Sequence, residues 1–161
     1  MLRTLTYIFI LTAAILLQVT ILPSFIADPF KPNLLIIVVT WLGLKKDRNA
    51  GFLAFALGIL QDCYSGIYLG LNGFSYLSLF IILNAAADRL YTESRYLMVF
   101  VVFLATVVNG LINLLLLLLF STASGIYATL LADLIPQALA NSLISALLFS
   151  LPRLTDIEES V

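Results

Sequence analysis

Histidine is absent from this chain of 161 residues, cysteine occurs once, and charged side chains make up only 11%. Each scarcity excludes something. One cysteine, Cys63, allows no intrachain disulfide. Without histidine, a zinc or haem site has no ligand set, and only scattered Asp and Glu remain for a hard cation, so no cofactor or metal is expected. A soluble domain carries roughly 25% charged residues, so this chain cannot cover a water-facing surface. Eight basic against nine acidic residues leave a net charge of −1 and no basic cluster, which excludes nucleic acid as a partner. No nucleophile has a neighbouring base, no phosphate loop is present, and no carboxylates are paired for acid–base work. The chain reads as a non-enzyme.

What the chain has is hydrophobic sequence, 62% of the total, in runs that demand lipid as solvent. The runs are Leu5–Leu22, Asn33–Leu44, Ala50–Gln61, Leu71–Ala87, Tyr96–Phe120 and Leu130–Leu151. The first is longer than the apolar part of a secretory signal and is followed by no small-x-small cleavage site, so a retained helix is expected. Six spans place Arg3, Lys45, Lys46, Arg48, Arg89, Arg95 and Arg153 on one side and only Lys31 on the other. By the positive-inside rule this predicts an all-α polytopic membrane protein with both termini in the cytoplasm. No repeat or linker divides residues 1–161, so one integral membrane domain is expected.

Spans two and three are short. Twelve residues make a helix of about 18 Å, against a hydrocarbon core of about 30 Å. They are joined by "KKDRN", so this hairpin is expected to start at the inner face and stop short of the outer one. At its far end comes "DCYSGIYLG", which carries the carboxylate of Asp62 together with Ser65, Gly66 and Gly70. The glycines permit tight turns and close backbone approach. A carboxylate at membrane depth needs a partner or a function. Lys31, the one cation expected at that height, offers an ion pair, with Asn33 as a neutral neighbour. The alternative is that Asp62 meets a ligand or a partner protein.

Span six carries Asp133, Gln137, Asn141 and Ser145 at four-residue intervals, one polar stripe on a helix, and Pro136, which predicts a kink. Span five carries Thr106, Asn109, Gly110 and Asn113 on one face. Two readings stand: hydrogen bonds between helices, or the wall of a polar cavity for a small solute.

Two stretches carry a resemblance. "FKPNLLIIVVTWLGL" has a basic-Pro-Asn entry at Lys31, Pro32 and Asn33. "NAGFLAFALGILQDCYSGIYLGLNGFSYL" carries Gly58, Gln61, Asp62, Ser65, Gly66, Leu69 and Gly70 in a spaced pattern. Together they resemble the rod-shape-determining MreD family over about a quarter of the chain. The resemblance implies a multi-pass protein of the bacterial inner membrane and a non-catalytic subunit of the elongasome that organises the cell wall. It implies binding to MreC, a bitopic protein, alongside MreB filaments and the RodA and class B penicillin-binding protein pair. It also implies a fold similar to the substrate-binding subunits of energy-coupling-factor transporters. Those subunits dock through small residues on their first helix, whereas Ala13 and Ala14 here are adjacent rather than four apart. Lys31, Asn33, Asp62, Ser65, Gly66 and Gly70 are the residues expected to meet a partner or ligand. A small-solute-binding or transport subunit is the alternative.

Overall fold

A computed structural model describes residues 30–45, 50–65, 68–89, 94–120 and 125–150, together with Gln18. Within these lie five α-helices: α1 Leu34–Leu44, α2 Ala50–Ser65, α3 Leu71–Ala86, α4 Arg95–Phe120 and α5 Gly125–Ser150. A 3-10 turn, Ala87–Arg89, ends α3. No strand occurs among the described residues. The expected first span lies outside the described residues except for Gln18, so six spans are not established.

The helix boundaries follow the apolar runs, with two instructive departures. The third run continues as helix for four residues beyond Gln61, to Ser65. Asp62 does not break it, because its side chain leaves the helix for another partner, and the Ser65 hydroxyl donates back to the Asp62 carbonyl at 3.4 Å. The sixth begins at Gly125, five residues before the expected start, and passes through Pro136 as one continuous helix. Its first turns are tied down where the Tyr127 hydroxyl donates to the Leu117 carbonyl at 3.4 Å.

Lengths sort the helices into two classes. The 26 residues of α4 and of α5 give about 39 Å each. Both are long and apolar enough to cross a membrane. The 16 residues of α2 and of α3 give about 24 Å each, less than the hydrocarbon core. The 11 residues of α1 give about 16 Å.

The short α1 is the central post. Leu35, Ile36, Val39, Thr40, Gly43 and Leu44 are all buried on it, as expected of a helix surrounded by others. Around it the core is built from Leu57 on α2, Tyr76, Leu79 and Phe80 on α3, and Met98, Val101 and Ala105 on α4. Antiparallel α2 and α3 pack closely because glycine faces backbone. A Cβ on Gly58 would lie 2.3 Å from the Asn72 carbonyl oxygen, and one on Gly73 would lie 2.8 Å from Ile59. Such contacts are the usual means of helix association in lipid, where no water drives it. Outside this core the surface is apolar: Phe52, Phe74, Ile81, Phe100, Leu104, Leu115, Leu143 and Leu147 are all exposed. Lys45 lies at the basic end of the bundle, with its ammonium 3.5 Å from the centroid of the Trp41 ring.

Candidate functional site

Asp62 lies near the C-terminal end of α2, where the helix dipole disfavours an anion, and is only 3% exposed. Its compensation comes from the start of the next helix. One carboxylate oxygen, Oδ2, accepts from the backbone N–H of Gly70 at 2.8 Å and of Gly73 at 3.2 Å. The other, Oδ1, accepts from the backbone N–H of Asn72 and from its side-chain amide, both at 2.9 Å. The first N–H groups of any helix have no partner within it. Residue 70, at the cap position of α3, is a glycine with φ of 101° and no side chain to supply one. Asp62 therefore caps α3 from a different helix. Its counter-charge is the positive end of the α3 dipole, the arrangement that binds anions at helix starts generally.

This corrects the expected Lys31–Asp62 ion pair. Among the described residues, the carboxylate's contacts come from residues 70–73 and none comes from Lys31, which is half-buried. The sequence offers Lys31 because charge is visible in a side chain, whereas backbone amides at a helix start carry no signature of charge. Gly66 lies outside the described residues. Gly70 participates through its amide, and Ser65 through its hydroxyl.

Asn72 extends the clamp. Its side-chain oxygen accepts from the amide of Asn113 on α4 at 3.1 Å. The Oδ1 of Asn113 is buried and has no hydrogen-bond partner among the described residues.

A second network centres on Asn33. Its side-chain oxygen accepts from the N–H of Leu35 at 3.2 Å and of Ile36 at 3.4 Å, capping α1. Its amide donates to the Tyr76 hydroxyl on α3 at 2.8 Å, and its backbone N–H donates to Asn141 Oδ1 on α5 at 2.7 Å. Asn141 in turn donates to Thr106 on α4 at 3.0 Å, and Thr106 donates to the Val102 carbonyl. Gln18 donates to Asn33 at 3.3 Å and to Gln61 on α2 at 2.8 Å, and accepts from the Leu35 N–H. One asparagine thus joins α1 directly to α3, α5 and Gln18. Between the two networks, the Ser75 hydroxyl on α3 donates to Asn109 Oδ1 on α4 at 2.6 Å.

The polar residues of the two long helices are therefore used differently from one another. Asn109 and Asn113 turn to α3, and Asn141 bridges α4 to the cap of α1. Asp133 and Gln137 are half-buried and join neither network among the described residues. Gly110 packs against Leu134. A half-open cavity of about 290 Å³ lies beside the clamp. Its walls are apolar, Leu69, Leu71 and Phe74 facing Leu116, Leu117 and Phe120. Gln18, Asn72, Ser75 and Tyr76 are not among the site residues expected from the sequence, and Gln61 is expected only as part of the spaced motif. The signal available for Asn72 was its position at the start of an apolar helix, immediately after the Gly70 turn.

An apolar exterior around a hydrogen-bonded polar interior defines a helical membrane protein whose buried polar groups hold helices to one another. The family model of the rod shape-determining protein MreD matches residues 1–154, and the chain belongs to that family. No curated protein and no solved structure matches it. Membership carries a role in determining rod shape.

Proposed function

We propose that this protein is a non-catalytic membrane subunit of the bacterial cell-elongation complex, that it binds MreC, and that it thereby helps to organise peptidoglycan synthesis. Membership of the MreD family supports the reading, and one structural observation carries it. The buried polar groups of Asp62, Asn33 and Asn141 are engaged with other parts of the same chain. What they build is a rigid scaffold, and the outer surface is left to meet partners. The RodA and class B penicillin-binding protein pair and MreB filaments are further partners on this reading. The inner membrane is its location, with both termini in the cytoplasm. The transport reading calls for a polar, open cavity, whereas the cavity beside the clamp has mainly apolar walls.

Two measurements test it. Depletion from a rod-shaped host is expected to round the cells without creating a vitamin requirement, and detergent pull-down is expected to recover MreC. Normal rods on depletion, together with a pull-down lacking MreC, would remove the proposal. Topology has its own check. Reporter fusions after Arg48, Arg95 and Arg153 should be cytoplasmic, and those near Phe30, Ser65 and Ser124 should not.

A further inference from the structure

Cross-links between helices fix relative heights along the bundle. Asp62 bonds Asn72, and Asn72 bonds Asn113, so the far ends of α2 and α3 are level with Asn113. From there α4 continues for seven residues to Phe120, a further rise of about 10 Å. α5 runs beside this extension, with Tyr127 bonded to Leu117. The extension is apolar and uncovered: Leu115, Leu118, Leu119 and Phe120 are 57–84% exposed.

On the other side of the molecule, the clamp level carries side chains of an interfacial kind beside exposed Phe30 and Leu69. Tyr64 and Tyr68 are 52% and 44% exposed, and tyrosine collects at membrane–water boundaries. Lys31 lies two residues from the Asn33 cap, a reach of no more than about 7 Å. Its ammonium requires water or headgroups near that height.

We propose that the molecule imposes a step on the bilayer: along α1–α3 the hydrocarbon ends at the level of the Asp62 clamp, and along α4–α5 it continues about 10 Å further, to Phe120. The partner is the lipid itself. A flat bilayer would either bury Lys31 and the clamp in hydrocarbon or expose the leucines of α4 to water. Thinning on one side avoids both, and local thinning is the known response to a hydrophobic element shorter than the membrane. The apolar cavity between Phe74 and Leu117 lies at the inside corner of this step. The inference does not depend on MreC binding, since it concerns the isolated chain in lipid.

The chain supplies its own probe. Cys63 is the one cysteine in the sequence and is exposed at the clamp level. Leu111 and Leu115 bracket Asn113 and are exposed on the lipid side of α4. The full chain is reconstituted in phosphatidylcholine vesicles with 18-carbon chains. A charged, membrane-impermeant maleimide is present on both sides, and the labelling rate of native Cys63 is compared with that of Leu111→Cys and Leu115→Cys, each in a Cys63→Ser background. Both leucines lie outside the core, so neither change disturbs packing, and full labelling in denaturant confirms the thiols. The step predicts that Cys63 labels about tenfold faster or more than either introduced cysteine, as exclusion of charge from hydrocarbon requires. Equal protection at all three positions would mean a flat bilayer covering the clamp. Equal reactivity would mean that hydrocarbon never climbs α4. Either result overturns the proposal.

Discussion

The short helices α1–α3 and the long pair α4–α5 solve the same problem in different ways. A helix long enough to span the membrane carries its unpaired end groups toward water. The helices of 11 and 16 residues have their first N–H groups inside the protein, where an unsatisfied group costs about 1–3 kcal/mol. Both short helices that begin at the far end are accordingly capped from within. Asn33 caps α1 locally, and Asp62 caps α3 from the neighbouring helix. The lesson is that the polar residues of this bundle are placed by helix length. Here an isolated carboxylate in apolar sequence marks a helix start that is buried within the protein.

The largest expected effect is on the side of the short helices. Asp62→Leu strands three backbone donors, each costing about 1–3 kcal/mol when buried and unpaired, so a loss of about 3 kcal/mol or more is expected in denaturant titrations of the detergent-purified protein. Asp62→Asn, which keeps the shape but turns a donor toward donors, should lose less. Lys31→Leu should change stability by no more than about 0.5 kcal/mol, and the double change should equal the sum of the singles. A coupling between Lys31 and Asp62 would restore the ion pair that the geometry denies.

Next comes Gly58→Ala. Its methyl group meets the Asn72 backbone, which side-chain rotation cannot relieve, so α2 and α3 must part. A loss of about 1–3 kcal/mol is expected, as for an overpacked core. Since Asn72 also serves the clamp, the penalty should shrink in an Asp62→Leu background. Strict additivity would show that the crossing and the clamp are independent.

Asn33→Ala removes a cap and is expected to cost about 1–2 kcal/mol. Asn141→Ala removes bonds of the kind that average about 0.6 kcal/mol between membrane helices. A double-mutant cycle of Asn33→Ala with Tyr76→Phe, whose side chains bond directly, should give a coupling of about 0.5 kcal/mol or more, and a coupling of zero would remove the Asn33 side chain as a link from α1 to α3. The smallest effect belongs to Asn113→Leu. It removes one hydrogen bond and with it a buried oxygen that has no partner among the described residues, so the change should stay within about 0.5 kcal/mol.

Much of the fold was legible because apolar runs and Gly/Pro/charge breaks mark helix limits directly. The ends of α1, α3 and α4 fall within a residue or two of those read from sequence. The shortness of the second and third runs, and the need of Asp62 for compensation, were legible too. The identity of the compensating group was not. Recognising it requires knowing that Gly70 leaves the start of α3 uncapped and that α2 and α3 cross at Gly58, and both are tertiary facts. The polar stripes were visible as stripes, but periodicity gives a face and not the helix that the face meets. The face of Asn109 and Asn113 was therefore legible, but not that they bond to Ser75 and Asn72 on α3.

The most direct test of the capping account is amide hydrogen exchange in the full-length protein, comparing native Asp62 with Asp62→Asn. The amides of Gly70, Asn72 and Gly73 are bonded to the carboxylate and should be protected in the native protein. In the variant these amides should lose protection, while the interior amides of α4 keep theirs. Unchanged protection at residues 70–73, or a loss spread evenly over all helices, would contradict the assignment of Asp62 as the cap of α3.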